Sequence, residues 1–293
     1  MKAFSRFNPI SLMIYFVSVI LTAMFISNPV FEVIALTGGI LFCLTITKSQ
    51  EKLIDLKFYI PLFLLITITN PLFSHNGVTP LFFMNGNAVT LEAVLYGANI
   101  AIMIVSVMLW CKAYSIIMTS DKFVYVFGRT MPKLSLVLSM ALRYVPMLKR
   151  QAKKVSQTQK AMGLYSSKSI ADRMKFAVRV FSALVGWSLE NAVETGKSMK
   201  ARGYGLKGRT NYSNYHFGKS DAVLLCICIP AFIVITIGSV FGYGSFSFYP
   251  QLTKVGLSTA EFGMYTAFAV IAFLPFIIEI EEVLRWKYYR SRI

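Results

Sequence analysis

Six apolar runs constrain this chain more than any other feature. They extend from Pro9 to Ile26, Val30 to Thr47, Phe58 to Phe73, about Thr90 to Ile117, Ala222 to Phe241 and Glu261 to Ile280. Each has roughly the length a helix needs to cross the ~30 Å hydrocarbon core of a bilayer. A soluble domain rarely averages 56% hydrophobic residues with so many in unbroken runs. The expected fold is therefore an all-α integral membrane protein with about six transmembrane helices. The third run, which holds Pro61 and Pro71, is short enough to be re-entrant instead. No small-residue cleavage pattern follows the first run, so it reads as a retained span.

Charge gives the runs a direction. Of thirty Lys and Arg residues, twenty fall between Lys112 and Lys219. With Lys2, Arg6, the Lys48–Lys57 segment and the tail from Arg285 to Arg292, twenty-nine lie on one predicted side and only Lys254 on the other. The positive-inside rule then places both termini in the cytoplasm of a multi-pass protein of the cell membrane. Lys48–Lys57 reads as a short charged loop, and Ser74–Asn87, without Lys or Arg, as an external one. Three regions follow: an N-terminal membrane part (1–118), a basic cytoplasmic region (119–220), and a C-terminal membrane part with a basic tail (221–293). Surface this basic suits anionic lipid or an acidic partner. No nucleic-acid-binding motif accompanies it, so nucleic acid is not an expected partner.

The basic region has its own periodicity. Asp121–Gly128 is a short amphipathic piece suited to a membrane interface. Met131-Pro132 then opens a helix, nearly all apolar from Leu134 to Val145. After Pro146 its apolar positions narrow to one stripe, Leu148, Ala152, Val155, Gln159 and Met162, among Lys149, Arg150, Lys153, Lys154 and Lys160. A second stripe comprises Ile170, Met174, Val178, Phe181, Val185, Leu189, Ala192, Gly196 and Met199. Steps of three and four put each set on one helix face. Gly163 and Gly203 are suited to the left-handed conformation that ends a helix. The region reads as two helices of about thirty residues, whose stripes either pack on each other or receive a partner.

Residues for catalysis are missing from the pattern. The chain has no Gly-x-x-x-x-Gly-Lys-Ser/Thr loop, no His-Glu-x-x-His pair and no Gly-x-Ser-x-Gly elbow. His75 and His216 are predicted on opposite sides of the membrane. Cys43, Cys111, Cys226 and Cys228 lack thiolate-metal spacing and read as small apolar side chains. Glu279, Glu281 and Glu282 cluster at the end of the last run, with Glu281 spaced to pair with Arg285 along a helix. No catalytic, cofactor or metal site is expected.

Two segments carry a resemblance. Ser198-Met199-Lys200-Ala201-Arg202-Gly203-Tyr204, followed by Gly208-Arg209-Thr210, is similar to the transmembrane T component (EcfT/CbiQ family) of energy-coupling factor transporters, which are ABC-class importers of vitamins and trace metals. Ala141-Leu142-Arg143-Tyr144-Val145-Pro146 resembles that family's approach to its first coupling helix. The likeness covers roughly Leu134 to Tyr212. It implies a non-catalytic subunit that assembles with two ABC ATPase subunits and a small substrate-binding membrane subunit, the S component. The family carries Ala-Arg-Gly at the end of each coupling helix. Here Ala201-Arg202-Gly203 keeps it, whereas Ala161-Met162-Gly163 lacks the arginine. Lys160 offers a cation one residue earlier, but it projects about 100° away and lacks the guanidinium fork. By the resemblance, both tips dock ATPases and the stripes transmit ATPase closure to the S component. The alternatives are a permease of another ABC class, which holds its ATPase through one short coupling helix, and a membrane enzyme acting on a lipid or prenyl substrate.

Overall fold

The computed structural model describes residues 3–47, 49–74, 77–84, 87–163, 170–206, 215–253, 256 and 258–290. Gly208-Arg209-Thr210 of the family-like segment lies outside the described residues, as do His75 and Lys254. The chain is an all-α membrane protein, and it forms two compact units. One comprises Met1–Thr119 with Tyr215–Ile293, and the other comprises Ser120–Asn214.

The first unit contains α1 (Pro9–Phe25), α2 (Pro29–Ile46), α3 (Ser49–Phe73), α4 (Leu91–Ile117), α8 (Lys219–Val240) and α9 (Thr259–Arg290). Among the described residues, four segments are long and apolar enough to cross a membrane: Pro29–Ile46, Lys52–Phe73, Leu91–Ile117 and Lys219–Val240. Of the other two apolar runs, α1 has 17 residues and α9 includes Glu261 and Glu279 among its 32. An Asn-Pro pair starts both α1 and α2. The Asn8 and Asn28 side chains accept from the amides of Ile10 and Val30, at 3.0 and 2.9 Å, while proline takes a position whose N–H needs no helical partner.

Two stretches differ from the sequence reading. Ser49–Lys57 is not a loop but the first turns of α3, where Asp55 forms an ion pair with Lys112 of α4. Helix continues because a charged segment can keep its polar groups at the membrane edge without unwinding. The proposed external loop contains a small antiparallel hairpin, β1 (Pro80–Met84) with β2 (Asn87–Thr90). The dipeptide Asn85-Gly86, a strong two-residue hairpin signal, was present in the sequence.

Aromatic packing anchors this unit. Phe4, Tyr15, Phe16, Phe42 and Trp110 are fully buried and meet edge-on or tilted, with centroids 5.2–6.5 Å apart. Their polar atoms are matched: Trp110 Nε1 donates to the Ala35 carbonyl (3.0 Å), and the Tyr15 hydroxyl to that of Ile271 (2.9 Å). Gly38 lets α2 approach α9 so closely that a Cβ there would stand 3.0 Å from Ala272. The glutamates near the end of α9 are engaged structurally. Glu279 accepts from the Phe4 amide (3.1 Å), Glu282 pairs with Arg6 (2.8 Å), and Glu281 pairs with Arg285 (2.5 Å) as its spacing predicted.

The second unit contains α5 (Ser120–Thr130), α6 (Pro132–Ala161) and α7 (Ile170–Ala201). Pro146 stands inside α6 without ending it. The Ser135 hydroxyl of α6 donates to the Val124 carbonyl of α5 at 3.0 Å. Lys122 of α5 is buried, and desolvation lowers its pKa from the usual lysine value.

Candidate docking sites at the helix tips

The tip of α7 is built by backbone hydrogen bonds. The Tyr204 amide reaches the Met199 carbonyl (3.0 Å), and the Gly203 amide reaches that of Lys200 (3.0 Å). These are the two bonds of a Schellman ending, and they require a left-handed residue, which Gly203 supplies at φ 86°. Arg202 occupies the last position before that reversal. Its side chain is exposed, with no hydrogen bond or ion pair to the described residues. The helix end thus holds the root of a planar, permanently charged group while its fork remains open to a partner.

The tip of α6 shares part of this ending. Gly163 adopts φ 73°, and its amide bonds the Lys160 carbonyl at 3.0 Å. The residue before the glycine is Met162, whose side chain is 69% exposed. Lys160, Ala161 and Gly163 are exposed beside it. Each predicted set is therefore gathered at its own tip: Lys160 to Gly163 on α6, and Ala201 to Gly203 on α7.

The two sets are not brought together. Tyr144 of α6 and Thr195 of α7 share a hydrogen bond of 2.8 Å. From that contact, α6 runs about 26 Å to its end, and α7 runs back about 37 Å to its start. The eight connecting residues bridge at most about 30 Å. The helices must therefore run in opposing senses across the contact. Met162 and Arg202 then lie on opposite sides of the crossing, roughly 30–40 Å apart.

The stripes divide differently from the sequence reading. On α6, Leu148, Ala152 and Val155 are half-buried and follow Tyr144 at helical steps, which places them on the face turned to α7. On α7, the half-buried residues are Asp172, Phe176, Val180, Leu184, Trp187, Ser188, Asn191, Thr195 and Met199. Of the predicted α7 stripe, only Met199 belongs to this set. Val178, Phe181 and Leu189 are 61, 68 and 63% exposed, and Val185 and Ala192 are exposed as well. The two α7 faces are rotated from each other by roughly 100°. The packing face was hidden because Ser188, Asn191 and Thr195 interrupt its apolar pattern, whereas the outward face reads as unbroken. The recurrence of Trp187, Asn191 and Thr195 at four-residue intervals was the available signal.

Comparison with known proteins bears on what these tips serve. The family described as cobalt transport protein, CbiQ, matches residues 3–212, more than half of the chain. The chain belongs to this family. Membership of a transport family accords with the non-catalytic reading. The chain is also similar to proteins named energy-coupling factor transporter transmembrane protein EcfT. The one from Bacillus selenitireducens is 35% identical over 97 residues, covering 32% of this chain and 36% of the relative. That from Staphylococcus aureus is 26% identical over 210 residues, covering 67% and 78%. A third, from Lacticaseibacillus paracasei, is 37% identical over 93 residues, covering 31% and 35%. The match to the first of these spans about a third of the relative's length.

Proposed function

We propose that this chain is the transmembrane scaffold and coupling subunit of an energy-coupling factor type ABC importer. It joins two cytosolic ATPases to a small substrate-binding membrane subunit for uptake of a vitamin or trace metal. The α7 tip carries the reading: Arg202 stands exposed at a Schellman-ended helix terminus, in the Ala-Arg-Gly setting. An arginine fork there fits an ATPase carboxylate in a bidentate pair, which strengthens as water is excluded. A spacing of roughly 30–40 Å between the tips suits one ATPase at each, because a single small groove could not hold both. The outward stripe through Val178, Phe181, Val185 and Leu189 supports a second role, as the surface that meets the substrate-binding subunit. Movement of the ATPases would then pass along stiff helices as rigid-body displacement.

Orientation belongs to the same proposal. ATP is cytosolic, so the tips and both termini face the cytoplasm, as the distribution of Lys and Arg predicts. The decisive measurement is affinity purification of the tagged chain from its own cells, with and without Arg202→Ala. Wild type should bring two ATPase polypeptides, and the variant should lose most of one. Purification without any ATPase would sink the proposal. Orientation is tested in intact cells with the four native cysteines replaced. A maleimide that cannot cross the membrane should label Val78→Cys and not Lys153→Cys, and the reverse pattern would overturn the topology.

A further inference from the structure

The first unit holds an apolar groove that the coupling function does not use. It has a volume of about 310 Å³ and lies between α2, α3 and α4. Its walls include Leu36, Ile40, Leu44, Tyr59, Phe63 and Leu64. On α2 the lining runs from Leu36 to Thr47, about 16 Å of helix, and on α3 from Lys52 to Leu64, about 18 Å. Half of a bilayer's hydrocarbon core is about 15 Å thick, so the groove has the depth of one leaflet.

Its polar groups collect at one end. Thr47 follows α2, Lys52 stands near the start of α3, and Lys112 lies near the end of α4, so all three mark the same edge of the bundle. Lys112 is held by Asp55, and each is 25% exposed. Lys52 is half-buried with no ion pair among the described residues. Among the described residues, two ammonium groups and one carboxylate leave one net positive charge at the mouth. Thr47 also lines the groove, but it is 6% exposed and its hydroxyl is enclosed by protein, so the reachable polar group at the mouth is the Lys52 ammonium.

We propose that this groove holds one acyl chain of an anionic phospholipid, with the lipid phosphate at Lys52. The walls accept the chain through apolar contact alone, which gives retention without choice of headgroup. The single uncompensated cation then prefers a lipid with net negative charge over a zwitterion. A chain inserted from one leaflet matches both the groove's depth and the location of its charge.

The test uses the protein as it purifies with its partners, exchanged into defined micelles. The probes are dioleoyl phosphatidylglycerol, dioleoyl phosphatidylcholine and inorganic phosphate, and bound lipid is read by native mass spectrometry. Wild type should retain phosphatidylglycerol about fivefold over phosphatidylcholine, the preference expected from one nearby lysine. Lys52→Gln should abolish the preference by lowering phosphatidylglycerol retention about fivefold, to the level of phosphatidylcholine, whose own retention stays unchanged. Leu64→Trp, which fills the groove, should lower retention of both lipids. Inorganic phosphate at millimolar concentration should displace neither. Equal retention of the two lipids by wild type overturns the proposal, and so does displacement of lipid by phosphate alone. A photo-reactive residue at Ile60 provides a further arm in native membranes. Crosslinking to lipid supports the proposal, and crosslinking to a protein partner overturns it. Lys52 carries no ion pair among the described residues, so its glutamine variant decides the matter even if the tryptophan variant fails to fold.

Discussion

The helices α6 and α7 are similar in length, at 30 and 32 residues, and both end at a left-handed glycine, yet they present different chemistry. The α6 stripe through Leu148, Ala152 and Val155 is half-buried on the face turned to α7, and its tip offers Met162. The α7 stripe through Val178, Phe181 and Leu189 faces outward, and its tip offers Arg202. Beyond Pro146, α6 thus turns its apolar stripe into the pair, while α7 keeps an apolar face and a cation available. A pair built this way has a supporting arm and a reaching arm.

The largest effect should come from the reaching tip. Under the proposed function, Arg202→Ala removes one partner of a desolvated charge pair, a loss of about 2–5 kcal/mol. Affinity for the ATPase at this tip should fall at least about thirtyfold, and substrate uptake with it, while membrane insertion stays intact. Met162→Ala should cost much less, and equal losses at the two tips would erase the proposed division of labour.

The outward face comes next. Phe181→Asp should weaken association with the substrate-binding subunit by about 1.5–3 kcal/mol, the usual value of burying one large apolar side chain. Helicity and protease resistance of the chain should not change, because Phe181 does not lie on the half-buried face of α7. If Phe181→Asp instead melts the helix pair, the outward stripe serves folding and the proposed partner surface is wrong.

A smaller effect tests the ending itself. Gly203→Ala forces a side chain into left-handed backbone, with a cost of about 1 kcal/mol. Hydrogen exchange should accelerate over the last turn of α7, and ATPase retention should fall about fivefold because Arg202 loses its fixed root. The smallest effect is expected at Lys160, exposed near the α6 tip. Lys160→Ala should alter ATPase retention by less than about 1 kcal/mol, as exposed charges usually do. A large and salt-dependent loss would instead make Lys160 a substitute for the missing arginine, and Met162→Arg in the same background should then restore binding.

Legibility in the sequence followed the range of the interactions. Apolar runs, the Glu281–Arg285 pair and both glycine stops depend on residues a few positions apart. Their physics is contained in local chain geometry, so they could be read directly. The Asn85-Gly86 dipeptide is an equally local signal for the hairpin, carried by two adjacent residues of the sequence. The charged start of α3 reads as a loop in the sequence because its compensation is distant: Asp55 meets Lys112 on another helix.

The sequence by itself determined that the chain would be helical, that it would cross a membrane, and that Arg202 would stand at a helix end. Tertiary structure decided which side of α7 packs, because Asn191 and Thr195 could not be assigned to an interior face until Tyr144 was found opposite Thr195. It also decided that the two tips lie apart, since the separation depends on where the helices cross. Periodicity gives the faces of one helix, but the choice among those faces depends on its neighbour.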